Sequence, residues 1–180
     1  MQTEQLYNNF VNEFCHQLYA IKNEYTDMVF LCIGTDRITG DSYGPLVGYQ
    51  LINLFKEFGL CDTVSVVGTL ESPVSYCNVE ETVNRIYRMY TNPGIVAIDS
   101  AVSRAEDIGK IFVSKGGMCF GKGLNKKGIL VGDISIKGVV AKNTCIPRNN
   151  LEYLQNTPLN IVMNLAEVTS RGIYETIKYI

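Results

Sequence analysis

Three short apolar runs, at residues 27–34, 63–67 and 95–98, alternate with longer stretches whose apolar residues recur at helical spacing. A near-continuous apolar run suits a strand buried on both faces, as in the interior of a parallel sheet. Between the first two runs, Val47, Leu51, Leu54, Phe55 and Phe58 form one helical stripe, with Pro45 in its first turn and Gly59 at its C-terminal cap. Between the second and third, Val79, Val83, Ile86, Tyr87 and Tyr90 form another, and Asn78 with Glu81 has the spacing of a capping box. Asn92-Pro93-Gly94 stops it. A leading helix over residues 4–22 carries Leu6, Phe10, Phe14, Leu18 and Ile21, with Thr3 as its N-cap. Strand and helix alternating in this way predict right-handed crossovers and a largely parallel sheet covered on both faces.

After Asp99 the pattern changes. Short strands are expected at 111–113, 129–131 and 134–140, the last alternating through Ile134 and Ile136. Helices are expected to start at Pro147 and at Pro158, the second carrying Val162, Leu165, Ala166, Ile173 and Ile177, with a kink at Gly172. The whole predicts a three-layer α/β/α fold with a mostly parallel central sheet, formed by residues 1–180 as a single domain.

Charge and composition narrow the function classes. Sixteen basic against eighteen acidic residues give a net charge of -2, so no global basic field points to nucleic acid. No apolar run approaches the roughly 20 residues of a membrane span, and the opening MQTEQLYNNFVNEF has no basic residue, unlike a signal peptide. A cytoplasmic location is the expectation. The six cysteines form no C-x-x-C pair and read as free thiols in a reducing compartment. With His16 the single histidine, no metal site and no cofactor are expected.

The chemistry is concentrated in the turn after the first strand, IGTDRITGDSYGP at 33–45. In open α/β sheets, ligands bind outside the carboxyl ends of the strands where the strand order reverses. If the order is 2-1-3, Asp41 after the first strand and Asp99 at the end of the third face one crevice, despite 58 residues of separation. Paired carboxylates in different environments divide acid and base roles. Asp41, just before a helix N-terminus, is favoured as the ionised partner, and Asp99, at the mouth of a buried strand, as the protonated one. An aspartate after a strand is also a common turn former, and spacing does not separate the two readings. Arg37 is placed to hold a substrate carboxylate or to pair with Asp36; Glu71, in GTLESP, adds an acidic group at the same edge. The stretch SKGGMCFGKGLNKKG at 114–128 reads either as a rim presenting Lys115 and Lys122 to an acidic substrate or as a solvated connection.

Three motifs in order, IGTDRITGDSYGPLVG, VVGTLESPV with NVEE behind it, and IVAIDSAVSR, resemble the YyaC family of sporulation proteins, known as candidate spore proteases. That family is more distantly similar to the germination protease, which degrades small acid-soluble spore proteins, and to the endopeptidases that mature nickel-iron hydrogenases. The resemblance implies a phosphorylase/hydrolase-like α/β/α fold and a peptidase. It puts catalytic aspartates at Asp41 and Asp99, matching the germination protease, and loosely likens Gly116 to Gly123 to that enzyme's glycine-rich stretch. The hydrogenase endopeptidases bind metal at these two positions with a histidine that has no counterpart here, because His16 precedes the first strand.

The function expected is therefore hydrolysis of a peptide bond in a small spore protein by an aspartate pair. The substrate-binding set is Arg37, Lys115, Lys122 and Glu71, and the place of action is the mother cell, forespore or spore core. The alternative is a non-catalytic protein whose crevice holds a peptide or a cation. No nucleic-acid or membrane partner is expected, and a homo-oligomeric state is left open.

Overall fold

A computed structural model describes residues 2–60, 64–120, 129–144 and 146–179. The five helices among these residues are α1 (Gln2–Ile21), α2 (Tyr43–Phe58), α3 (Val79–Met89), α4 (Pro147–Gln155) and α5 (Leu159–Ile177). The strands are β1 (Asp27–Cys32), β2 (Val64–Val67), β3 (Pro93–Ser103), β4 (Ile111–Lys115), β5 (Met118–Phe120), β6 (Ile129–Val131) and β7 (Ile134–Lys142). Five of them form one sheet in the order β2-β1-β3-β7-β4, parallel except for β4; β5 and β6 pair as a separate hairpin.

Alternate residues of the apolar strands serve opposite faces, which is why those runs lack polar interruptions. Phe30, Cys32, Val96, Ile98, Ile134 and Ile136 join the core made with α1, α2 and α5. Val29, Leu31, Ile33 and Ile95 turn the other way and pack with Val79 and Ile86 of α3. The fold is thus α/β, a mixed and mostly parallel sheet flanked by helices. The chain leaves β1 by α2 on one face, reaches β2, and returns through α3 on the other face to β3. The order therefore reverses between β1 and β3, as the 2-1-3 expectation required.

Several local expectations are corrected. β3 does not end at residue 98: it continues to Ser103, because β7 pairs with it through Ser103↔Lys142, with a bulge between Ala101 and Val102. Asp99 consequently lies within a strand. Asn78 makes no side-chain cap to α3; its Oδ1 accepts from the Ser75 N–H at 2.7 Å and its Nδ2 donates to the Pro73 carbonyl at 3.2 Å, closing the turn before the helix. Thr3 lies inside α1 and not at its cap. Gly172 sits within α5, and the reason for a glycine there is close packing: a Cβ would lie 2.6 Å from the Phe10 ring. Gly59 closes α2 in the left-handed region at φ 71°, as expected. The described cysteines Cys15, Cys32, Cys77 and Cys119 are free thiols, while Cys61 and Cys145 lie outside the described residues. Among the described residues no helix is long and apolar enough to cross a membrane.

Candidate functional site

The turn after β1 is built by glycines that permit close backbone approach. The N–H of Ile33 donates to the Ile98 carbonyl at 2.7 Å, and that of Gly34 donates to the Val74 carbonyl at 2.8 Å. Gly34 has φ +145°, and a Cβ there would lie 2.0 Å from the Asp41 carbonyl oxygen. A Cβ on Gly44 would lie 2.0 Å from the Ile33 carbonyl oxygen. No other residue fits either place without moving backbone. The Thr35 N–H donates to the Asp41 carbonyl at 3.0 Å, closing the loop, and a short 3-10 turn, Gly40–Ser42, leads directly into α2. Asp41 is therefore fixed at the carboxyl end of β1, half-buried, immediately before a helix.

Asp99 arrives from the neighbouring strand. Cys32, the last residue of β1, pairs with Ile98, so Asp99 stands one residue beyond the end of β1, beside the turn that holds Asp41. Ser100 links the two carboxyls. Its backbone N–H donates to Asp99 Oδ1 at 2.8 Å, and its hydroxyl donates to Asp41 Oδ1 at 3.2 Å. Burial pushes Asp99 well above the usual carboxylate range, and the negative charge of Asp41 pushes it further; the Ser100 N–H and the charge of Lys137 act the other way. Burial also raises Asp41, opposed by the Ser100 hydroxyl and the Thr35 backbone N–H. One carboxyl is thus driven toward the protonated form, and the other keeps donors that favour its anion.

A cleft of about 730 Å³ opens beside Asp41, lined by Thr35, Asp36, Arg37, Glu71 and Tyr76 among others. Arg37 and Glu71 are in this way brought to the same groove as Asp41. Lys115 is not. The strand β4 runs antiparallel, and its Lys115 pairs with Ile134, the first residue of β7, whereas Asp99 pairs with Lys137 further along. Lys115 is exposed toward the amino ends of the parallel strands, so its expected contact with substrate in the crevice is corrected. Lys122 lies outside the described residues, as does most of the 114–128 stretch. His16 is exposed on α1, 3.4 Å from Gln17 Nε2 and on a helix that precedes the sheet. Among the described residues no three His, Cys, Asp or Glu side chains are grouped to hold a metal ion.

Two residues at the site were missed in the sequence. Ser100 follows Asp99 directly, and only the continuation of β3 to Ser103 puts it on the α2 side by the alternation of side chains along a strand; the sequence carried no signal of that continuation. Lys137 is the register partner of Asp99, and the alternation of Ile134 and Ile136 already put it on the opposite face to those two; only the β3–β7 pairing was hidden.

The model of the family described as "Protein of unknown function (DUF1256)" matches residues 1–172. The chain is 39% identical over 148 residues to the Uncharacterized protein YyaC of Bacillus subtilis (strain 168), an alignment covering 81% of this chain and 67% of that protein. Among solved structures it is similar to the NiFe hydrogenase maturation protease HycI from Thermococcus kodakarensis KOD1, with a TM-score of 0.59 and 19% identity over 89% of this chain and 98% of that one. At that identity the likeness is one of fold.

Proposed function

The chain belongs to the DUF1256 family, and we propose that it is an aspartate-dependent endopeptidase acting on a small protein of spore-forming bacteria, with Asp41 and Asp99 as its catalytic pair. The observation that carries the proposal is the Asp41–Ser100–Asp99 arrangement at the sheet's switch point: two half-buried carboxyls, both raised, each accepting a hydrogen bond from Ser100. A pair of this kind keeps one carboxyl protonated beside an ionised one and divides the acid and base roles between them. The phosphorylase/hydrolase-like class accords with the strand order and with a site between the carboxyl ends of β1 and β3.

The arrangement performs hydrolysis in two balanced steps. Ionised Asp41 takes a proton from water as the water oxygen attacks the scissile carbonyl carbon, and protonated Asp99 gives its proton to the carbonyl oxygen. The resulting gem-diol collapses: the C–N bond breaks, the departing nitrogen takes the proton held by Asp41, and Asp99 recovers its proton from a diol hydroxyl. Arg37 and Glu71 line the groove through which the substrate chain passes, Arg37 as a holder of carboxylates. Small acid-soluble spore proteins are the substrate class proposed, and the cytoplasm of the mother cell, forespore or spore core is the place.

Incubating the purified chain with spore-core proteins and sequencing the fragments by mass spectrometry tests the proposal. Discrete fragments that vanish with Asp41→Asn and with Asp99→Asn are expected. Binding without cleavage, weakened by Asp41→Asn, would replace it with a non-catalytic peptide- or cation-binding function.

A further inference from the structure

Resting on that peptidase function, we propose that Ser100 is a positioning residue that assigns the base role to Asp41 and the acid role to Asp99. Its two donors differ in kind. The N–H to Asp99 belongs to the backbone and is present with any residue but proline at 100; the hydroxyl to Asp41 belongs to serine. Strand geometry makes the division possible, since Asp99 and Ser100, adjacent in β3, leave on opposite faces. The turn before α2 lies close to the hydroxyl: the register partner of Ser100 is Gly138, and its missing side chain leaves room for the ring of Tyr43, the first residue of α2.

A hydroxyl donating to a carboxylate favours the anion, and a charge-assisted bond of this kind is stronger than a neutral one. Among the described residues, Ser100 supplies the side-chain hydrogen bond given to Asp41; Thr35 supplies the backbone donor. The anion held at Asp41 then acts on Asp99, because the charge of Asp41 is the second cause, after burial, of that carboxyl's retention of its proton. Ser100 in this way moves the two groups in opposite directions from a single bond. Among the described residues, the other charged or ionisable groups around the pair are Asp36, Arg37, Glu71, Tyr76 and Cys77 along the groove, Lys137 on β7, the buried Cys32 thiol at the end of β1, and the buried phenol of Tyr43. At the turn, α4 presents Leu154, next to Gly40, and Thr157 follows that helix, so neither adds a charge there.

The test is carboxyl-detected ¹³C NMR titration of the full chain as wild type, Ser100→Ala and Ser100→Thr, with circular dichroism to confirm the fold. In Ser100→Ala the Asp41 midpoint should rise and the Asp99 midpoint fall, so that the two titrations converge; Ser100→Thr, which keeps a hydroxyl, should restore the wild-type separation. A serine that only fills space would leave both midpoints where they are. If Ser100→Ala does not fold, Ser100→Cys, with a weak donor in the same place, gives a second test of the same kind. Cleavage by Ser100→Ala should fall about tenfold or more near neutral pH with KM nearly unchanged. Unshifted midpoints in the alanine and cysteine variants overturn the assignment. The titration needs no substrate, so it decides the role of Ser100 even where wild type cleaves nothing, which would sink the peptidase function alone.

Discussion

Asp99 and Lys137 are register partners across the parallel pair β3 and β7, so their side chains leave the same face of the sheet side by side. The lysine is exposed, and its positive charge opposes both the burial and the Asp41 charge that push Asp99 upward. Lys137→Met should therefore raise the Asp99 midpoint further, read by the same carboxyl titration. Lys115→Met, which alters β4 opposite Ile134, should leave it unmoved. An equal effect of the two lysines would mean that general surface charge, and not register, acts on Asp99.

The ionisation of Asp99 sets a pH dependence of known sign. Its folded-state value is raised above the ordinary 3.8, so the native chain retains a proton that the unfolded chain has lost. The stability this gives is fully present below about pH 4 and is lost as pH rises through the folded value. Asparagine carries no such cost. Asp99→Asn should melt higher than wild type at neutral pH, and the gain should shrink as pH falls toward 4. Asp107, held low chiefly by Lys110, loses its contribution on acidification in both proteins and cancels from the difference. A difference in Tm that is constant from pH 4 to pH 8 would contradict the raised value.

Gly44, like Gly34, is a tight constraint on the turn that carries Asp41. Alanine there meets backbone, the Ile33 carbonyl oxygen, which cannot rotate away as a side chain does. Gly44→Ala should cost about 3 kcal/mol of stability, at the upper end of overpacking penalties. Urea unfolding measures it. Gly59→Ala, at a site with nothing within 4 Å of a Cβ but a φ of +71°, should cost about 1 kcal/mol and leave the pair's titration untouched.

Tyr43 fastens the first residue of α2 to α5 through a buried hydroxyl contact with Thr169 Oγ1 at 2.7 Å. Tyr43→Phe leaves the threonine without this partner and should destabilise by about 1–3 kcal/mol. Adding Thr169→Val should recover part of the loss, because no buried hydroxyl then goes unmatched. A double variant that loses the full sum of both single changes would show that the two hydroxyls act independently.

The meeting of residues 41 and 99 was legible because strand-helix alternation and right-handed crossovers leave few topologies, and 2-1-3 places both at one crevice. Apolar runs bounded β1 well for the same reason: both faces are covered, so polarity changes abruptly at its end. The length of β3 was not legible. Ser100, Ala101, Val102 and Ser103 carry no run of large apolar side chains, and what keeps them extended is pairing with β7, a contact with chain about 40 residues away. The direction of β4 was hidden too, and with it the end of the sheet at which Lys115 emerges. Lys137 and Ser100 escaped for a related reason: each matters through its partner on another element, and single-sequence periodicity reports a residue's face but not the neighbour across the ladder.

The central claim is that Asp41 and Asp99 act together on a peptide bond. Its most direct test is the cleavage rate of a small acid-soluble spore protein by wild type, Asp41→Asn, Asp99→Asn and the groove control Asp36→Asn. General acid and base groups contribute on the order of 100-fold or more each, so both pair variants should fall by at least that factor while Asp36→Asn stays within a few-fold of wild type. Cleavage by Asp41→Asn and Asp99→Asn at the wild-type rate would contradict the claim.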